Sequence, residues 1–79
     1  MISHLRGTVH RRKPEEITVD VNGVGYGVSV PITVWDELKE GKEATLYIST
    51  YVREDRLALF GFLDDAGRIL FERFIGMTG

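Results

Sequence analysis

The residues of this 79-residue chain with the most chemistry to offer are its charged clusters and its tyrosines. Arg11-Arg12-Lys13 is a compact basic turn, followed at once by Glu15 and Glu16. It is either a solvated hairpin loop or an accessory phosphate contact. The triplet Arg53-Glu54-Asp55 reads by residue type as a solvated turn, since Asp is a common turn residue. Tyr47 and Tyr51 could stack bases if they faced outward, whereas Tyr26 shares strand parity with Val28 and Val30 and belongs to the core. Catalytic chemistry finds little support. There is no cysteine, so no thiol nucleophile, disulfide or thiolate metal site. His4 and His10 share strand parity, but six strand residues span roughly 20 Å, too far to ligate one metal. Ser and Asp residues form no nucleophile, base and orienter set. Gly23-Val24-Gly25-Tyr26-Gly27 superficially resembles a dinucleotide-binding loop, yet that motif must open a helix and here a strand pattern follows. The expectation is a non-catalytic domain with no metal and no cofactor.

Period-2 alternation must position these residues. Residues from about Ile2 to His10 read as a first strand, closed by the polar run Arg11 to Glu15. Ile17, Val19 and Val21 give a second strand with one buried face. Asn22-Gly23 follows, and both residues tolerate the positive φ of a type I′ hairpin. Tyr26, Val28 and Val30 form the third strand, ended by Pro31. Thr33 is placed to cap a short helix, with Gly41 beyond its end. Leu46, Ile48 and Val52 line one face of a fourth strand, with Thr45, Tyr47, Ser49 and Tyr51 on the other. Leu57 to Phe62 is the fifth. Asp64 or Asp65 then caps a helix with the apolar stripe Leu70, Phe71, Phe74 and Ile75.

Five short strands with a helix between the third and fourth predict a mainly β, closed Greek-key barrel of the OB-fold type over residues 1–63, with a C-terminal helix over 64–79. Gly25 and Gly27 are expected to permit the sharp coiling of barrel closure. The helical stripe either folds back on the barrel, stabilising it through Leu70, Phe71 and Phe74, or begins a further domain. The end at Met77-Thr78-Gly79 reads as a truncation.

A chain this short buries only about 60% of its unfolded surface. Its 43% hydrophobic and 28% charged content suit a soluble domain. No apolar run nears the roughly 18 residues that span a bilayer, and the N-terminus lacks a signal-peptide pattern; a cytoplasmic location without membrane contact is expected. The formal net charge is −2. A domain that gripped DNA by itself would be clearly basic, so either nucleic acid is not the partner or most of the binding surface lies elsewhere.

Several segments in order resemble the start of the RuvA family: Met1-Ile2 with Leu5-Arg6-Gly7, Val21-Asn22-Gly23-Val24-Gly25-Tyr26, Val52-Arg53-Glu54-Asp55, Leu59-Phe60-Gly61-Phe62, and the helix with Leu70-Phe71. Together they cover essentially the whole chain. The resemblance implies an OB-fold followed by a helix-hairpin-helix domain, of which residues 64–79 would be the first helix. It implies recognition of four-way (Holliday) junction DNA as a homotetramer in recombination, DNA repair and the SOS response to damage. The RuvB ATP-driven motor and the RuvC resolvase would be partners, with helicase activity carried by RuvB. It also implies that Glu54 and Asp55 form an acidic pin at the junction centre. Arg53, Arg56, Arg11, Arg12 and Lys13 would make accessory DNA contacts. On this reading the DNA-gripping surface belongs mainly to the next domain, which reconciles a DNA role with a negative charge. Two alternatives stay open: an OB-fold that binds single strands through Tyr47, Tyr51 and the Arg11-Arg12-Lys13 turn, and a purely structural oligomerisation module.

Overall fold

The computed structural model describes residues 1–76; Met77, Thr78 and Gly79, on which the expected truncation rested, lie outside the described residues. The alternating segments form β1 (His4–Lys13), β2 (Glu16–Val21), β3 (Val24–Ser29), β4 (Glu43–Arg53) and β5 (Arg56–Phe62). They close into a barrel in the order β1-β2-β3-β5-β4, with β1 pairing β4 to complete the circuit. All ladders are antiparallel except the contact of Ser29 with Phe60 between β3 and β5. Two helices, α1 (Ile32–Glu37) and α2 (Asp65–Phe74), flank β4 and β5 in sequence. This is the mainly β, five-stranded OB-fold barrel expected from the strand count. Its interior is filled by Val9, Ile17, Val19, Leu46 and Ile48 with their buried neighbours, one from every second position as the pleat requires.

The β2–β3 hairpin turns on Asn22 and Gly23, both at positive φ, and the Asp20 carboxylate accepts a hydrogen bond from Gly23 N at 2.8 Å. Of the two strand-three glycines, Gly25 is in a tight place, where a Cβ would lie 3.1 Å from Thr18 Cγ2, but the closest approaches fall elsewhere. A Cβ on Gly27 would meet nothing within 4 Å, but one on Gly7 would lie 2.2 Å from the Asp20 carbonyl oxygen, and one on Gly61 2.8 Å from Val28 Cγ1. It is at Gly7 and Gly61 that neighbouring strands come too close for a side chain.

Three local expectations are corrected. The polar run does not close the first strand: β1 continues through Arg11, Arg12 and Lys13, with an irregularity between Arg11 and Lys13, and Pro14-Glu15 makes the turn. This end of the strand needs no apolar face, because Arg11 lies over the Trp35 ring while Arg12 and Lys13 are exposed. Thr33 is not a cap, because α1 starts directly after Pro31, whose carbonyl accepts Trp35 N at 2.9 Å. Proline's fixed φ suits that entry.

The third correction concerns α2. Of the two candidate caps it is Asp64 that serves, accepting from Gly67 N at 2.7 Å. The helix folds back across β4 and β5 through Phe71, whose ring centroid lies 5.0 Å from that of Phe60 and 5.2 Å from that of Phe62. The Ser49 hydroxyl donates to Glu72 at 2.5 Å, and Arg68 bridges Asp65 and Glu72. Arg68 thereby holds the Asp65 carboxyl below its usual range, chiefly through their hydrogen bond. Leu70 and Phe74, however, stay 70% and 88% exposed. One face of so short a helix fits the barrel, and that face carries Phe71 rather than the whole stripe.

Candidate nucleic-acid interface

The barrel presents two charged regions, and β4 positions the first. The N-terminal segment pairs along it only as far as Thr50, whose hydroxyl donates to the Ile2 carbonyl at 2.6 Å. Beyond Thr50 the β4–β5 hairpin continues with no β1 neighbour. Val52 therefore does not join Leu46 and Ile48 in the core; it and its cross-strand partner Leu57 are exposed. Arg53 pairs with Arg56, and Glu54-Asp55 is the two-residue turn. Glu54 sits at φ 55, a left-handed conformation that costs a residue with a side chain roughly 1–2 kcal/mol. Among the described residues none of these four charged side chains forms an ion pair. The Arg53 guanidinium lies 6.0 Å from the Tyr51 ring. Two exposed carboxylates thus stand at the end of a hairpin that protrudes from the barrel, with two cations just behind them.

The second region is the basic end of β1, and its three cations are not equivalent. Arg11 lies with its guanidinium carbon 3.5 Å from the centre of the Trp35 ring, and its backbone N–H donates to Glu40 at 2.6 Å. That backbone hydrogen bond, with a second contact to His10 Nδ1 at 3.0 Å, holds the Glu40 carboxyl below its usual range. Arg11 is therefore engaged in binding α1 and the following loop to the barrel. Arg12 donates to Thr18 Oγ1 at 2.9 Å and Lys13 lies 3.5 Å from Glu16, but both remain exposed. Arg12, Lys13 and Glu16 line a groove over β2, β3 and β5 together with the small residues Thr18, Gly27, Ser29 and Ala58, and the groove reaches Leu57 at the base of the acidic hairpin. The structure thus joins two segments that are more than forty residues apart in sequence. Trp35, which fixes Arg11, passed unnoticed in the sequence; a tryptophan three residues before the buried Leu38 was the available signal.

The tyrosines do not form a stacking platform. Tyr47 and Tyr51 share the outer face of β4, but Ser49 between them is covered by Glu72 of α2. His4 lies opposite Tyr47 on β1, while His10 is on Glu40. Among the described residues no His, Cys, Asp and Glu group could hold a metal ion, and no helix is long and apolar enough to cross a membrane.

Fold and surface together define a small OB-fold barrel whose distinctive parts are charged surface features. Comparison with known proteins narrows the class. The chain belongs to the family described as the RuvA N terminal domain, whose model matches residues 1–61. It is 46% identical over 80 residues to the Holliday junction branch migration complex subunit RuvA of Acidobacterium capsulatum, covering 100% of this chain and 40% of that protein. The proteins of the same name from Solibacter usitatus and Fusobacterium nucleatum subsp. nucleatum are 44% and 38% identical, each over 100% of this chain and 41% of theirs. The chain thus spans about two fifths of the length of these relatives.

Proposed function

We propose that this domain serves in the recognition of four-way junction DNA, as the barrel part of a branch-migration subunit that assembles as a homotetramer. Residues 64–79 would then open a helix-hairpin-helix domain that supplies the main grip on DNA. The protein would work in the cytoplasm with the RuvB motor and the RuvC resolvase in recombination, repair and the SOS response to DNA damage, itself catalysing nothing. The observation that carries this reading is the acidic turn. Glu54 occupies a backbone conformation that glycine or asparagine would take more readily, and two unpaired carboxylates crown a hairpin whose tip, from Val52 to Leu57, lies outside the core.

A carboxylate about 5 Å from a phosphate, at an effective dielectric near 20, is repelled by roughly 3 kcal/mol before salt screening. Four such turns around one point would exclude phosphates from the centre and hold duplex arms apart. Arg53 and Arg56, set just behind the turn, would receive the diverging backbones, and Arg12 and Lys13 would add accessory contacts along the groove. Arg11 is the least suited of the basic residues, since its guanidinium already lies on the Trp35 ring and donates to the Trp35 carbonyl. The rival reading of a single-strand-binding barrel is weakened by the helix that separates Tyr47 from Tyr51.

The test compares the affinity of the full-length protein for a four-way junction, linear duplex and single strands at one salt concentration. Preference for the junction is expected. Equal or tighter binding of single strands would overturn the reading, as would no junction binding at all.

A further inference from the structure

The acidic turn is not the only unusual part of the hairpin. Val52 and Leu57 lie on the face that, further along the same two strands, supplies Leu46, Ile48 and Leu59 to the core. Beyond the end of the barrel that face has nothing to cover it, and the two side chains are 66% and 62% exposed. Directly opposed across the ladder, they form one small apolar surface. Their neighbours Arg53 and Arg56 point to the other face, also directly opposed. Like charges in that position destabilise a sheet, and among the described residues no acid neutralises them.

These features select among occupants. Two aliphatic side chains are a small fraction of the roughly 800 Å² per partner that a stable protein interface needs. Nucleic acid complements both faces, with phosphates for the arginines and the flat apolar surface of a base for Val52 and Leu57. Separating the arms of a junction leaves base pairs with one face unstacked, and apolar side chains are what proteins set against such faces. We propose that Val52 and Leu57 cap the unstacked base pair beside the crossover, so that the hairpin both repels phosphate and shields the opened bases. This rests on the junction reading above and adds two DNA-contacting residues to it.

Permanganate oxidation tests the cap, since it attacks thymines through an exposed base face. The probe is a four-way junction with thymines at the crossover, bound by the full-length protein. In Val52→Ser with Leu57→Ser, crossover thymines should become more reactive and junction affinity should fall by about tenfold. Melting temperature and the sedimentation of the tetramer should be unchanged, and Leu57→Met alone should keep the protection. Thymine reactivity and affinity equal to those of the unmodified protein would overturn the cap. Dissociation of the tetramer in the serine variant would overturn it too, by assigning the pair to a contact between copies. Glu54→Gln with Asp55→Asn is measured in parallel: an unchanged preference for junction over duplex there would count against the acidic turn, whatever the serine variant shows.

Discussion

Removing a carboxylate by substitution with glycine should have opposite effects on stability at the two adjacent turn positions. Glu54 is at φ 55, whereas Asp55 is not among the residues with positive φ. At position 54, glycine relieves roughly 1–2 kcal/mol of left-handed strain and gives back about 0.5–1 kcal/mol through the greater freedom of the unfolded chain. The net is stabilisation by about 0.5–1 kcal/mol. At position 55 there is no strain to relieve, so glycine should destabilise by about 0.5–1 kcal/mol. Each variant removes one exposed charge from the same turn, and exposed charges contribute little, so electrostatics largely cancels in the comparison. In a domain of this size 1 kcal/mol shifts Tm by roughly 4–8 °C, so Glu54→Gly should melt about 8 °C above Asp55→Gly. Thermal unfolding followed by circular dichroism reads this directly. If Asp55→Gly proves as stable as Glu54→Gly, the hairpin carries no strain at Glu54 and the structural support for a functional turn is lost.

Three further outcomes follow from the packing. Phe71→Ala should cost about 2 kcal/mol, roughly half the loss of a fully buried phenylalanine, while Phe74→Ala in this chain should stay within about 0.5 kcal/mol; urea denaturation of both separates a docked residue from an exposed one. Gly7→Ala should prevent native folding or lower the urea midpoint severely, because its Cβ would lie 2.2 Å from a backbone oxygen that cannot move aside; a midpoint close to that of the unmodified chain would refute the close approach of β1 to β2. Because the Glu40 carboxyl is held below its usual range in the folded state, its contribution is present above the ordinary carboxylate pKa of about 4 and is lost as pH falls through the lower folded value. Glu40→Gln should therefore lose less stability than the unmodified chain on acidification, measured as urea midpoints at neutral and acid pH.

Strand number, barrel type, the Asn22-Gly23 hairpin and a helix cap at Asp64 or Asp65 were legible in the sequence because each rests on local pattern or turn chemistry. What was not legible depends on where strands end relative to one another. Alternation assigned Val52 to the core, and only the register of the N-terminal segment against β4 shows that the hairpin outruns the barrel. Gly25 and Gly27 are visible as glycines inside a strand, while the tightest approaches fall at Gly7, against the Asp20 backbone, and at Gly61, against the Val28 side chain, which depends on how the strands pass one another. The helical stripe was visible as apolar, but its division into a docked Phe71 and an exposed Phe74 depends on the angle at which α2 crosses β4 and β5. For the site, the family resemblance singled out Glu54 and Asp55. The exposed Val52–Leu57 pair beside them and the engagement of Arg11 by Trp35 needed the structure.

The most direct test of the acidic turn neutralises it without altering its shape. Glu54→Gln with Asp55→Asn in the full-length protein should leave the barrel's Tm nearly unchanged, since exposed turn residues contribute within about 0.5 kcal/mol. With the repulsion gone, binding to linear duplex should tighten by roughly tenfold or more, the preference for four-way junctions should shrink, and the rate of RuvB-driven branch migration should change. Duplex and junction affinities are measured side by side at one fixed salt concentration. An unchanged ratio of the two, together with an unchanged migration rate, would mean that Glu54 and Asp55 are only a polar turn.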